Sequence, residues 1–500
     1  MDRATGLNRA RLAATAAAWL AFAGYAAVLV RNASHAVGGS DSSGYVNAAR
    51  LLASGRIATP ILPPDLLAVP ASFDHMFLPL AFVPGPEPRT MTPFYSVGFP
   101  LHVAGLSAVI GWEHGPYLAS PLLAVGSVLL LFLVALDLGL PKLYALAGAA
   151  LLALCAVFLF QALQPMSDVA AVFWSLAAVW AALRSRRRAA WAAGSGLAFG
   201  IAILVRPTNA LLLPALLFAL PLRGRVLLSF CAGGLPAAAV FGLYNRAAYG
   251  HPLRTGWVAT EHLEGFAWSH FPARFADYAR TLGQMLTPLV PLGWLAASAA
   301  RSVQRRDRGM LFSWFGAYLL FHCFYAVYGT WWYTRFLLPG IPALLLAFLL
   351  VVREAQNRWR LAPVVVGALL AAVIGWTWLR TDRWKVLGID EGQAILPRSC
   401  AWAAARLPEK AAVVSNEMSG ALRFYTGRQP VRWDWTTPET FPELRALVEG
   451  AGYRWYALLI AHEVKLAEPR APGPWVFEGE MGPVSLWRME PGVTPPPPAR

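Results

Sequence analysis

The chain has 500 residues, of which 57% are apolar and 14% charged, against about 45–50% and about 25% in a soluble globular domain. With a mean hydropathy of +0.48, a soluble globular fold is excluded. The formal charge of +15 would suit a nucleic-acid binder only if the charges gathered on one surface for it. Four scattered cysteines leave no disulfide framework or zinc site.

Apolar runs approaching the length of a membrane-spanning helix recur along the chain. They predict eleven spans, near residues 12–30, 116–136, 143–163, 169–183, 190–205, 208–222, 226–244, 282–299, 311–328, 336–352 and 361–379. The first run, 19 residues from Leu12 to Val30, is longer than the roughly 7–15 apolar residues of a signal peptide. It reads as a retained anchor. Twenty-one tryptophans suit the two membrane–water interfaces.

Between the first two spans lies a long loop, 31–115. It opens on Gly38-Gly39-Ser40 and continues as a helix from Asp41 to a stop at Gly55. A Pro-rich, extended stretch follows at 56–96, and Gly98–Trp112 reads as an interfacial helix too short to cross. The tail from residue 380 is different. Strands are predicted at Ala411–Ser415, Gln429–Trp433, Trp455–Ile460, Trp475–Glu478 and Val484–Arg488, with helices at Glu417–Thr426 and Pro438–Ala451. A Pro495–Pro498 run ends it. The expected fold class is an all-α polytopic membrane body over 1–379, followed by a small α/β domain over 380–500. No phosphate loop, paired-cysteine motif or fixed-period repeat is present.

Charge placement orients the chain. Connectors on the N-terminal side of the membrane hold 17 Lys/Arg and four acids, whereas the opposite connectors hold ten Lys/Arg and nine acids. That is the positive-inside pattern. It predicts a cytoplasmic N-terminus and an extracytoplasmic tail in the inner (plasma) membrane. The Arg184-Ser-Arg-Arg-Arg188 run becomes a cytoplasmic stop signal, so no nucleic acid is expected as a partner.

In so uncharged a chain, the acids and arginines beside spans are the candidates for chemistry. Asp41 heads the first-loop helix, and Asp168 sits in the turn Gln164-Pro-Met-Ser-Asp168 before a span. A carboxylate there can take a proton from a hydroxyl or hold a divalent cation, or simply cap a helix. Arg206, in Leu204-Val-Arg-Pro-Thr-Asn209, and Arg335, in Tyr333-Thr-Arg335-Phe-Leu-Leu-Pro339, lie at outer span ends. A guanidinium fork matches a phosphate, whereas a snorkelling arginine only reaches headgroups. Glu261-His262 with Glu264 is a further possible metal group, and most histidines read as ordinary loop residues.

These residues resemble a known family. Asp41-Ser-Ser-Gly-Tyr45, Thr92-Pro-Phe-Tyr-Ser-Val-Gly-Phe-Pro100 and Pro165-Met-Ser-Asp168 are similar to motifs of GT-C glycosyltransferases. So are Gly196–Pro207, Tyr244-Asn245 with Tyr249-Gly-His-Pro252, and Tyr333–Pro339. Within that superfamily the chain most resembles bacterial relatives of protein O-mannosyltransferases and of aminoarabinose transferases. The resemblance implies a polyprenyl-phosphate sugar donor, a glycan, lipid or protein acceptor, and contact with membrane lipid. It makes Asp41 the catalytic acid of the first loop and Asp168 the second acidic motif. Arg206, Arg335, Tyr45, Tyr95 and Tyr333 are then expected to bind substrate. A divalent cation would rest on Asp41 and Asp168, although Ser42 stands where many relatives have a second acid. The rival expectation is a transporter or flippase of lipid-linked glycans, which would share the polytopic body.

Overall fold

The computed structural model describes residues 19–259, 265–300, 303–327 and 329–490. Residues 12–18 of the expected first span, the Glu261-His262-x-Glu264 group and the Pro495–Pro498 run lie outside these. The chain divides into two compact units that interleave in sequence.

The first unit takes the described residues of Met1–Ser34, Ser96–Phe241 and Glu261–Asp390 and is helical. Among the described residues, five helices are long and apolar enough to cross a membrane: Gly115–Asp137, Ser167–Ser185, Trp331–Trp359, and Gly224–Tyr249 and Pro363–Ala404, whose ends pass into the second unit. Lys142–Leu154 and Ala156–Ala162 form a further apolar pair bent by 62°, with Cys155 extended at the break. Only 11% of the apolar window of Gly224–Tyr249 is covered by protein. A helix that apolar and that bare is stable only against lipid. The protein is a multi-pass membrane protein.

The run expected to span at 282–299 is broken. An amphipathic helix, Phe271–Leu286, ends at Thr287, whose φ of 64° stops it, and a nine-residue helix Leu289–Ala297 follows. Propensity for a threonine at positive φ is poor, so hydropathy alone could not place the break. Connectors assigned to one side of the membrane do meet. Arg184 pairs with Asp137 at 2.6 Å and Arg186 with Asp307 at 2.7 Å.

The second unit gathers His35–Tyr95, Gly242–Thr260 and Glu391–Arg500. Strands β1 (Thr59–Pro60), β2 (Phe82–Pro84) and β3 (Thr90–Pro93) make a small antiparallel sheet in the order β1-β3-β2. The five tail strands are β4 (Ala411–Val414), β5 (Gln429–Val431), β6 (Arg454–Ile460), β7 (Trp475–Met481) and β8 (Val484–Met489). They pair in the order β5-β4-β6-β8-β7. β4 runs parallel to β5 and β6, while β8 is antiparallel to β6 and β7. Alternation explains the two buried faces: Val413 and Leu458 pack on one, Val414 and Leu459 on the other.

Candidate functional site

In the helical unit, three expected site residues converge. Asp168 lies in the first turn of Ser167–Ser185, and its helix starts without a side-chain cap. The capping alternative therefore does not hold for Asp168. Its carboxylate, 2% exposed, accepts a hydrogen bond from Arg206 Nη1 through Oδ1 and lies 3.9 Å from Arg335 Nη1 through Oδ2. The two guanidinium side chains are themselves 18% and 16% exposed.

Local backbone chemistry aims Arg206. Proline disfavours helical geometry in the residue before it, and Pro207 leaves Arg206 extended at φ −146°, ψ 117°. The helix Trp191–Val205 ends there and a 3-10 turn, Pro207–Leu212, begins. Asn209 staples that turn, donating to the Ala202 carbonyl and accepting from Tyr318 Oη, both at 2.8 Å. Gly98 supports the same corner, because a Cβ there would overlap the backbone of Leu204 and Val205. Arg335 comes from the 3-10 segment Trp331–Gly340.

Phe336 joins the cluster although no polar chemistry marked it. Its ring lies 5.7 Å from the Arg206 guanidinium carbon and 5.4 Å from that of Arg335, and it stacks on His322 at 5.4 Å. Aromatic faces attract cations, so the ring supports both forks. Tyr333 lies 5.7 Å from the Arg335 guanidinium carbon. Two guanidinium forks thus meet at one nearly dry place, and forks of this shape match a phosphate.

A second group forms in the other unit. Asp41 begins the helix Asp41–Ala53, one residue after the N-cap Ser40, which makes no side-chain capping bond. Tyr95 Oη donates to Asp41 Oδ1 and lies 3.0 Å from Ser40 Oγ. Burial, then the charge of Asp41 and Tyr45, hold the Tyr95 phenol well above its ordinary pKa. It stays protonated and keeps donating. The Tyr45 ring packs 4.6 Å from that of Tyr95. Gly44 is obligatory on this helix face, since a Cβ there would come within 2.7 Å of the Tyr95 ring. Tyr249 Oη donates to the Pro93 carbonyl at 2.7 Å and fixes the backbone before Tyr95. Tyr95, one of the expected substrate-binding residues, thus bonds the Asp41 carboxylate, and Tyr45 packs on Tyr95.

A divalent cation does not fit Asp168, because two guanidinium groups already neutralise and repel there. Asp41 has neutral hydroxyl neighbours in Tyr95 and Ser40. Among the described residues no three His, Cys, Asp or Glu side chains gather as a metal group.

No family model matches the chain, and no curated protein sequence matches it significantly. Solved structures do. ArnT from Cupriavidus metallidurans, bound to undecaprenyl phosphate, is 12% identical with a TM-score of 0.59, covering 96% of this chain and 99% of that one. The Archaeoglobus fulgidus oligosaccharyltransferase, tethered with an acceptor peptide, is 12% identical with a TM-score of 0.55, covering 91% and 72%. Arabinofuranosyltransferase AftD from Mycobacteria is 14% identical with a TM-score of 0.52, covering 94% and 40%. At such identities what is shared is the fold, and it is the GT-C glycosyltransferase fold that the motifs resemble.

Proposed function

We propose that the protein is an integral-membrane glycosyltransferase that moves a hexosyl or pentosyl group from a polyprenyl phosphate to an acceptor hydroxyl outside the cytoplasm. The observation that carries the reading is the convergence of Arg206 and Arg335 on buried Asp168 in a GT-C fold. Fixed positive charge of this kind is worth most where negative charge grows in the transition state. ArnT, which shares the fold, was solved with undecaprenyl phosphate, and this supports the donor class.

In the reaction, Asp41 takes the proton of the acceptor hydroxyl while its oxygen attacks the anomeric carbon. The carbon–oxygen bond to phosphate breaks with inversion, and its electron pair leaves on the phosphate oxygen. Arg206 and Arg335 receive that charge. Tyr95, held protonated, orients the Asp41 carboxylate. No step is routed through a metal. The reading includes eleven crossings, a cytoplasmic N-terminus and a tail on the outer face of the inner membrane.

The test is a transfer assay on the purified protein in proteoliposomes, with an undecaprenyl-phosphate sugar and a hydroxyl acceptor. Release of undecaprenyl phosphate together with a product of inverted configuration is expected. Movement of the intact lipid-linked sugar between leaflets, without cleavage, overturns the reading in favour of a flippase.

A further inference from the structure

Next to the arginine cluster, within the same helical unit, lies a cavity of about 210 Å³ that the transfer chemistry does not use. The helix Phe271–Leu286 supplies its polar wall through Arg274, Asp277 and Gln284. The facing wall is aromatic: Trp331 and Trp384, stacked at 4.6 Å and 15°, together with Tyr333. Tyr333 also lies 5.7 Å from the Arg335 guanidinium carbon, so one ring is shared by the cavity and the arginine cluster.

The polar wall is held in place. Arg274 donates to the Val327 carbonyl at 2.8 Å and pairs with Asp277 at 2.9 Å, while Asp277 lies 3.6 Å from Arg280. The Asp277 carboxylate nevertheless stays 35% exposed and can accept further bonds. Tyr278 also lines the cavity. It is 4% exposed, and its hydroxyl has no hydrogen-bond partner among the described residues.

The chemistry of the walls selects the ligand. An anion would meet the Asp277 carboxylate, 35% exposed on this wall, while Arg274 is already engaged by Asp277 and the Val327 carbonyl and Arg280 is 68% exposed; a purely apolar group would strand the polar wall. A sugar ring satisfies both, with C–H faces on the aromatic wall and hydroxyls that donate to Asp277 or accept from Arg274. We infer that the cavity is a monosaccharide subsite with room for a single ring, a role that rests on the glycosyltransferase reading. The ring belongs either to the lipid donor or to an acceptor glycan.

Saturation-transfer NMR on the full-length protein in nanodiscs tests this, with methyl hexosides and methyl pentosides as probes. Wild type should transfer saturation to ring protons of at least one probe. Asp277→Asn and Gln284→Ala should bind it about tenfold more weakly. Asn matches Asp in size and Gln284 is exposed, so both variants keep the helix. An undecaprenyl-phosphate sugar displaces the probe if the subsite takes the donor ring, and leaves it bound if it takes the acceptor ring. No transfer from a wild type that binds undecaprenyl phosphate overturns the subsite and leaves the transferase reading standing. Transfer undiminished in both variants overturns it as well. Probe binding by a protein that neither binds nor cleaves the lipid-linked sugar overturns the transferase reading alone.

Discussion

Asp168→Asn isolates the electrostatic role of the carboxylate, because the amide has the same size and only the charge is lost. At the 3.9 Å separation from Arg335, and with an effective dielectric of about 20, the attraction is about 4 kcal/mol. The bonded contact to Arg206 is closer still. Removing one partner from a buried pair costs about 3–5 kcal/mol, since the remaining charge is left uncompensated. Here two guanidinium groups, both more than four-fifths buried, lose the same anionic neighbour together. The variant should therefore be destabilised by that order when empty. Undecaprenyl phosphate brings its own anion, so it should recover more stability in the variant than in wild type. Thermal unfolding in nanodiscs, with and without undecaprenyl phosphate, reads both effects. Equal melting of the two empty proteins, with equal protection by the lipid, refutes the argument that Asp168 holds the arginines for a phosphate.

Four further outcomes are expected. Asp41→Asn should slow transfer by about 10²–10⁴-fold while the protein still inserts and melts normally, because Asn keeps the shape but takes no proton; retention of more than about a tenth of the rate would remove Asp41 as the base. Arg335→Lys keeps the charge and loses the fork, so donor affinity by lipid-binding titration should fall about ten- to a hundredfold; unchanged affinity returns Arg335 to a headgroup-snorkelling role. Gly44→Ala should destabilise by about 1–3 kcal/mol through overpacking against the Tyr95 ring, and an unchanged melting curve would contradict the packing described. For topology, a cysteine at exposed Glu439 should react with an impermeant thiol reagent in intact cells; labelling only after permeabilisation reverses the orientation.

Much of the tail was legible because short alternating runs are bounded by turn residues. The five expected strands coincide with β4 to β8 to within a few residues. The convergence of Arg206, Arg335 and Asp168 was legible only as chemistry: each stood out as a costly charge beside a span, and nothing local says that they meet. Phe336 gave no signal, since one phenylalanine among 26 is indistinguishable from core until the guanidinium groups are placed on it. The Asn209–Tyr318 bond joins residues 109 apart, beyond any periodicity. Tyr95 was picked out by its motif, but its task came from a contact 54 residues away. The break at Thr287 was hidden because hydropathy reads composition and not backbone angle.

The interleaving of the second unit has a consequence for biosynthesis. The Val37 amide donates to Tyr425 Oη at 2.7 Å, a contact 388 residues apart in sequence, and the Leu80 amide donates to Ser419 Oγ at 3.0 Å. At about 5–20 residues per second, the first loop waits roughly 20–80 s after its own synthesis before its mate leaves the ribosome. Such distant closure is intrinsically slow. Until the tail is made, the segment carrying Asp41 lacks the residues against which it packs. A prematurely terminated copy would leave that face of the loop uncovered.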